Sequence, residues 1–306
     1  MIQTMESLRA SVSGLGPRVL AVANAQDKEV LLAVDGARTR GLATAILVGD
    51  EPQIRQIAQE NNISLEPHEI VHEPDKIQAC RIAVNLVRIG KADVVMKGIV
   101  DTSLILKAVL DKEIGLRDSP VLSHVAVFQV GGFDRLLYVT DAAMNIAPDV
   151  NAKKEILRNA VKVAHALGNP DPIAVCLCAV EKVNPKMQAT LDAAALVEAN
   201  QSGEITGCRV LGPLALDNAI SPEAAKHKGI TDPLAGHGDI LLVPAIETGN
   251  VLYKSLVYMA GAQNAGVIVG AKAPVVLTSR ADSDEAKLNS IALALMIASA
   301  SPNAKE

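Results

Sequence analysis

The stretch VVMKGIVDTSLILKAVL, residues 94–110, decides the fold class. Val94–Met96 is a short β-branched run, and a segment of helical period begins near Leu104. The turn between them carries Lys97, Gly98, Asp101, Thr102 and Ser103. Gly98 permits a close backbone approach, Lys97 supplies a cation, and Thr102 or Ser103 can cap the helix. An ordinary capped turn would use the same residues, so this segment alone leaves both readings open. It is not a P-loop, because the G-x-x-x-x-G-K-[ST] spacing is absent.

Working outward, the same strand–turn–helix unit recurs. Strands are expected at Val19–Ala23, Thr44–Val48, Val94–Met96, Val121–Phe128, Leu136–Val139, Ile173–Val180, Arg209–Leu211, Ile240–Val243, Val267–Val269 and Pro274–Leu277. Amphipathic helices separate them. Within Asn151–Leu167 the residues Ile156, Leu157, Ala160, Val161, Ala164 and Leu167 form one stripe, with Gly168 suited to the C′ position. Asn184-Pro185 reads as N-cap and N1 of a helix bearing Met187, Leu191 and Ala195. The last helix, about Asp284–Ala298, presents Leu288, Ile291, Ala292 and Leu295. Near-continuous apolar strands alternating with helices imply an α/β protein with mainly parallel sheets, covered by helices on both faces. Polar residues and Pro148 in Asp141–Asp149 mark a joint, and the chain is expected to return near Gly270–Lys272. Two domains follow, 1–143 plus 272–306 and 144–271.

Composition narrows the function. The chain has 306 residues, with 29 Lys plus Arg against 34 Asp plus Glu and a net charge of −5. Such a surface has no bulk attraction for nucleic acid or anionic lipid. Trp is absent, and three Tyr and two Phe provide little for base stacking. The apolar runs Ile291–Ala300 and Ile240–Ile246 fall short of the roughly 18–20 residues that span a bilayer, so no membrane partner is expected. No secretory signal is visible at the N-terminus, and Cys80, Cys176, Cys178 and Cys208 show neither CxxC pairs nor disulfide density. Buried thiols in a reducing cytoplasm are expected.

Ligands of open α/β sheets bind beyond the carboxyl ends of strands, near helix N-termini. Besides the Lys97 turn, four polar segments follow strand-like runs. Ser123-His124 lies in LSHVAVF, where a lone histidine is either a core residue or a ligand contact. Asp141 and Asn145, in TDAAMN, sit at the domain joint, and Asp217-Asn218 ends an apolar run. The densest is PVVLTSRADSDE, residues 274–285, where Asp282-x-x-Glu285 imitates a capping box. Capping needs one of these residues but not Ser279, Arg280 and three carboxylates together. An arginine fork beside backbone N–H groups suits a phosphate or a developing oxyanion. A related loop holds Gly249 and Asn250 and opens a helix containing Lys254. No metal-ligand spacing, no G-x-S-x-G elbow and no G-x-G-x-x-G after a strand occurs.

Taken in order, MKGIVDTSLILKAVLDKEIGL, LSHVAVF, LYVTDAAMNIAPD, VNPKMQAT, GPLALDNAIS, HGDILLVPAIETGNVLYKSL and APVVLTSRADSDEAKLNSIALA closely resemble the phosphate acetyltransferase/phosphate butyryltransferase family, and most of all its butyryltransferase branch. The match runs from about Asp93 to Ala294, with a looser fit before it. The resemblance implies reversible transfer of a short acyl group between coenzyme A and orthophosphate. It implies two α/β/α domains of isocitrate/isopropylmalate-dehydrogenase-like type with the site in the cleft between them. It also implies a homodimer or larger homo-oligomer, with coenzyme A as substrate and no metal or prosthetic group.

By the same resemblance Ser279 would hydrogen-bond the coenzyme A sulfur, and Arg280 would hold the phosphoryl group and the transition-state oxyanion. The family's base is an aspartate seven residues after that serine, where this chain has Ala286. Asp284 or Glu285 could substitute, or no dedicated base is needed. Asp141, Asn145, Asp217, Asn218, Gly249 and Asn250 would line the cleft, with Ser123, His124, Asp101 and Thr102 beside the substrate and Lys97 and Lys254 as anion contacts. Direct attack between thioester and phosphate asks for positioning and charge stabilisation rather than a covalent nucleophile. Three alternatives stand beside this reading: a phosphate acetyltransferase of the same family, a non-catalytic binding or regulatory module, and a dehydrogenase on the same fold. The last lacks the dicarboxylate and metal-binding constellations it would need.

Overall fold

A computed structural model describes residues 1–277 and 282–300. In chain order the elements are α1 Met5–Ser13, β1 Val19–Ala23, α2 Lys28–Thr39, β2 Thr44–Gly49, α3 Glu51–Glu60, β3 Glu69–His72, α4 Lys76–Arg88, β4 Val94–Lys97 and α5 Thr102–Val109. These are followed by β5 Ser123–Gln129, β6 Leu137–Thr140, α6 Val150–Ala166, β7 Ile173–Leu177, α7 Gln188–Gln201, β8 Arg209–Leu214, α8 Leu216–Ile220 and α9 Pro222–His227. The chain continues through β9 Ile240–Leu242, α10 Ile246–Lys254, a π-helical turn Ser255–Met259, β10 Gln263–Val269, β11 Val275–Val276 and α11 Asp284–Ala300. Contacts group these into two compact units, Met5–Pro120 with the chain from Ala265, and Met1–Thr4 with Val121–Asn264.

In the first unit the strand order is β3-β2-β1-β4-β11-β10. All neighbours are parallel except β10 and β11, which pair antiparallel at Ile268 and Val275. The register aligns Ala23 with Lys97 and Met96 with Val276, so the carboxyl ends of β1, β4 and β11 finish level. Short side-chain caps start the helices there. The Asp27 carboxylate accepts from Val30 N, and the Asp75 carboxylate from Ile77 and Gln78 N. Helix α11 packs on α1 and α2 and is buried on every side from Ala286 to Leu295. The expected stripe of Leu288, Ile291, Ala292 and Leu295 is therefore only part of its buried surface.

In the second unit the order is β5-β6-β9-β7-β8. Pairs β6–β9, β9–β7 and β7–β8 are parallel, whereas β5 and β6 form an antiparallel hairpin with Ala126 opposite Val139. Its core gathers Phe128, Leu137, Val139, Val175 and Leu241. Two local expectations are corrected. Helix α7 begins at Gln188 rather than after Asn184-Pro185, because the Asn184 carboxamide oxygen accepts from Lys186 N and closes a turn instead. Strand β3, with the half-exposed sequence Glu-Ile-Val-His, adds a parallel edge that apolar runs did not predict. The α/β class with mainly parallel, helix-covered sheet is as expected.

Candidate functional site

At the level carboxyl ends of β1 and β4, main-chain bonds join two loops of the first unit. Gly98 N donates to Ala23 O at 2.8 Å and Ile99 N to Asn24 O at 2.8 Å. Glycine is required there: a Cβ on Gly98 would lie 2.1 Å from Asn24 O and 2.6 Å from Ala23 O. Asn24 is fully buried with φ +56°, and its Nδ2 donates to Lys76 O. Lys97 Nζ donates to the Gly98 and Val100 carbonyls at 3.2 and 3.3 Å. Asp101 and Thr102 are both exposed. Asp101 takes the N-cap position of α5 without a side-chain cap bond, so neither Thr102 nor Ser103 caps that helix as expected. A cavity of about 160 Å³ opens here, lined by Asp27, Glu29, Lys76, Lys97, Asp101 and Lys287 among others.

Lys287 comes from the first turn of α11. Its Nζ lies 3.2 Å from Glu29 Oε2 and 3.6 Å from Asp284 Oδ1. Ser283 Oγ accepts from Ala286 N, so Ser283 caps α11 and the Asp282–Glu285 box does not. Asp284 thus faces Lys287, while Glu285 lies 3.8 Å from Arg9 of α1. Both carboxylates are exposed and sit where a helix dipole favours them. Ser279 and Arg280 lie outside the described residues.

The second unit brings together five of the candidate residues. Ser123 Oγ accepts from Asn159 Nδ2 at 3.0 Å, and the His124 ring centroid is 6.2 Å from that of Tyr253 on α10. The His124 carbonyl accepts from Thr140 Oγ1. The buried Asp141 carboxylate accepts from the N–H groups of Ala143 and Met144 at 2.9 Å, from that of Asn145 at 3.3 Å and from Asn145 Nδ2 at 2.6 Å. Asn145 Nδ2 also donates to Leu122 O. These bonds fill the acceptor positions of Asp141 and make it the organiser of its turn. Helix α10 leans on that turn at Gly249, where a Cβ would lie 2.5 Å from Asp141 O. Asn250 and Lys254, on the same helix, are exposed.

Asp217 and Asn218 belong to a different cluster. Asn218 Nδ2 donates to Glu181 Oε1, and Lys228 Nζ contacts Glu181 at 2.7 Å and Asp217 at 3.3 Å. The Lys228 ammonium holds the Glu181 carboxyl below its ordinary value, and the two carboxylates raise Lys228 in turn. Glu181 was missed although it directly follows the apolar run Ile173–Val180, the rule that selected Asp217. Also missed was the buried pair of Lys153 and Asp192, 2.5 Å apart beside a cavity of about 480 Å³ at the starts of α6 and α7. Helical periodicity offered no signal for that pair. Among the described residues no three His, Cys, Asp or Glu side chains gather as a metal-ligand set, and no helix is long and apolar enough to cross a membrane.

Residues 67–295 match the family described as phosphate acetyl/butaryl transferase. The phosphate butyryltransferase of Clostridium acetobutylicum is 52% identical over 298 residues, covering 97% of this chain and 99% of that protein. The phosphate acetyltransferase of Thermotoga maritima is 42% identical over 96% of this chain and 99% of its own. The solved structure of a branched-chain phosphotransacylase from Enterococcus faecalis V583 superposes with a TM-score of 0.82 at 36% identity, covering 92% of this chain and 99% of that one. With most of its length matched by the family and by relatives end to end, this chain belongs to the phosphate acetyl/butaryl transferase family.

Proposed function

We propose that this chain is a phosphate butyryltransferase, an acyltransferase that interconverts a four-carbon acyl-CoA plus orthophosphate with acyl phosphate plus free coenzyme A. One observation carries the reading: 52% identity to a butyryltransferase across 97% of this chain and 99% of that protein. The acetyltransferase relatives, at 37–42% identity, favour the same chemistry and keep acetyl-CoA as the second reading.

In this reaction a phosphate oxygen attacks the thioester carbonyl carbon, forming a C–O bond, and the C–S bond breaks to release the thiolate, which ends as the thiol. The tetrahedral oxyanion needs a fixed positive charge, and the leaving sulfur needs a hydrogen-bond donor. Arg280 and Ser279 fill these roles by their match to the family's Ser-Arg pair. Orthophosphate brings its own nucleophilic oxygen, so Asp284 or Glu285 serves at most as proton acceptor. Lys97 and Asp101, which line the cavity, and the Asp141–Asn145 turn contact substrate. Coenzyme A is a substrate here, and the reading includes no resident metal or prosthetic group. It further takes 1–143 plus 272–306 and 144–271 as the functional domains, a homodimer or larger homo-oligomer as the working form, and the cytoplasm as its location.

The test is product identification. Incubation with butyryl-CoA and phosphate, followed by hydroxylamine trapping, is expected to yield butyryl hydroxamate, and its absence from a folded preparation that still binds coenzyme A would favour a binding module instead.

A further inference from the structure

We propose that the cavity at the carboxyl ends of β1 and β4 is an anion subsite whose cation is Lys287, and that it takes a phosphate group of the substrates; this rests on the acyltransferase reading and deepens it. The side chain of Lys287 is 3% exposed, in a helix otherwise apolar from Ala286 to Leu295 except for Asn289 and Ser290. A buried ammonium needs compensation, and the carboxylates near it provide little. Glu29 and Asp284 are 44% and 70% exposed and stand 3.2 and 3.6 Å away. A charge-assisted bond is about 2.7–2.9 Å long, and exposed carboxylates are screened by water. Lys153, the other buried lysine among the described residues, differs on each count: its partner Asp192 is 9% exposed and 2.5 Å away. That pair completes itself, whereas Lys287 lines a cavity and holds one long hydrogen bond to Glu29 and an ion pair to Asp284, both carboxylates reaching into water.

The cavity suits one tetrahedral oxyanion. At about 160 Å³ it is smaller than the roughly 300 Å³ at which pockets for drug-sized ligands begin. Lys76 and Lys97 line it as well, and the side-chain-free Gly98 lets the β4–α5 loop close on the end of β1. Asp27 is tied to the N-terminus of α2 through Val30 N, which leaves Glu29, the nearest, with Asp284 and the cavity-lining Asp101 as the carboxylates that compete for Lys287. Entry of an anion exchanges Glu29 for a phosphate oxygen on Lys287, and Glu29 turns to water. Two sources carry the required group: orthophosphate itself and the phosphates of coenzyme A.

The experiment compares wild type with Lys287→Met, Lys287→Arg and Glu29→Gln. Calorimetry with inorganic phosphate, coenzyme A and dephospho-coenzyme A is paired with kcat and KM for each substrate. Lys287→Met is expected to weaken phosphate binding and raise its KM roughly tenfold or more, the loss of one charge-assisted bond. Lys287→Arg should restore most of that loss. Glu29→Gln should shift affinity the opposite way, tightening phosphate several-fold, which a purely structural ion pair would not do. Weakened coenzyme A binding with unchanged dephospho-coenzyme A binding would support the subsite and assign it to the coenzyme. If neither Lys287→Met nor Glu29→Gln moves any anion's affinity by more than twofold, the proposal is overturned. Should Lys287→Met fail to fold, Glu29→Gln alone decides. Phosphate binding that depends on Lys287 in a protein without acyl transfer would sink the acyltransferase reading and leave the subsite standing.

Discussion

Replacing Gly98 by alanine tests whether the β1–β4 junction both stabilises the first unit and positions the site. The new Cβ would stand 2.1 Å from Asn24 O, where ordinary contact begins at 3.4 Å, so main chain must yield by about 1.3 Å. No flexible side chain can absorb this, because the nearest atoms are the carbonyls of Ala23 and Asn24. Forced backbone shifts of this kind cost about 2–3 kcal/mol. For a unit of this size that is a fall of about 4–12 °C in melting temperature. The same shift displaces Lys97 and Asp101, and about 1 Å of misplacement near reacting groups costs roughly 100-fold in rate. Thermal melting and steady-state thiol release read the two effects. Gly131→Ala is the control, since nothing lies within 4 Å of its Cβ position. A Gly98→Ala protein melting within about 1 °C of wild type, with activity within about twofold, would refute this reasoning.

Removing one member of the buried Lys153–Asp192 pair by Lys153→Met should cost about 3–5 kcal/mol in urea unfolding, while Lys153→Met with Asp192→Leu should recover most of it; equal losses would mean the pair is solvated. Gly249→Ala, which drives a Cβ to 2.5 Å from Asp141 O, should raise substrate KM more than Asn250→Ala, whose side chain is exposed; the reverse order would show that α10 does not position the Asp141 turn. Burial pushes the Cys80, Cys178 and Cys208 thiols up to about 11. At pH 7.5 roughly one in three thousand is then thiolate, so alkylation should run about 100-fold slower than for a free thiol, and rapid inactivation by iodoacetamide would contradict this burial. The same thiols are held protonated in the folded chain and ionise near 9.0 when unfolded, so melting temperature should fall as pH rises from about 9 to about 11.

Several features of the fold were legible because one physical signal dominated each. Strands such as Val19–Ala23 are buried throughout or nearly so, and their continuous apolar sequence says as much. Strand β3 escaped because an edge strand needs no apolar run; its pairing to β2 is main-chain work. The antiparallel β5–β6 hairpin was hidden by the mainly parallel pattern, although Gly131-Gly132 between two apolar runs is a turn signal. Caps moved by one or two residues at α5 and α11, where several neighbouring polar residues could each take the position, and by three at α7, where Asn184 closes a turn before the helix. At the site, looking beyond strand ends selected Lys97 and Asp101, which the structure gathers on one cavity, and Asp141, Asn145 and Gly249, which it gathers on another turn. It could not select Lys76, Glu29 or Lys287, because these reach the cavity from helices, and helical period marks a charged residue as outward-facing. A lysine inside the apolar run from Ala286 to Leu295 was the one available sign.

Free thiol release from butyryl-CoA and acetyl-CoA, each with and without phosphate, is the most direct measurement. Phosphate-dependent release, with a higher kcat/KM for butyryl-CoA than for acetyl-CoA, is the expected result. Release that ignores phosphate, or that favours acetyl-CoA, would contradict the assignment as a phosphate butyryltransferase.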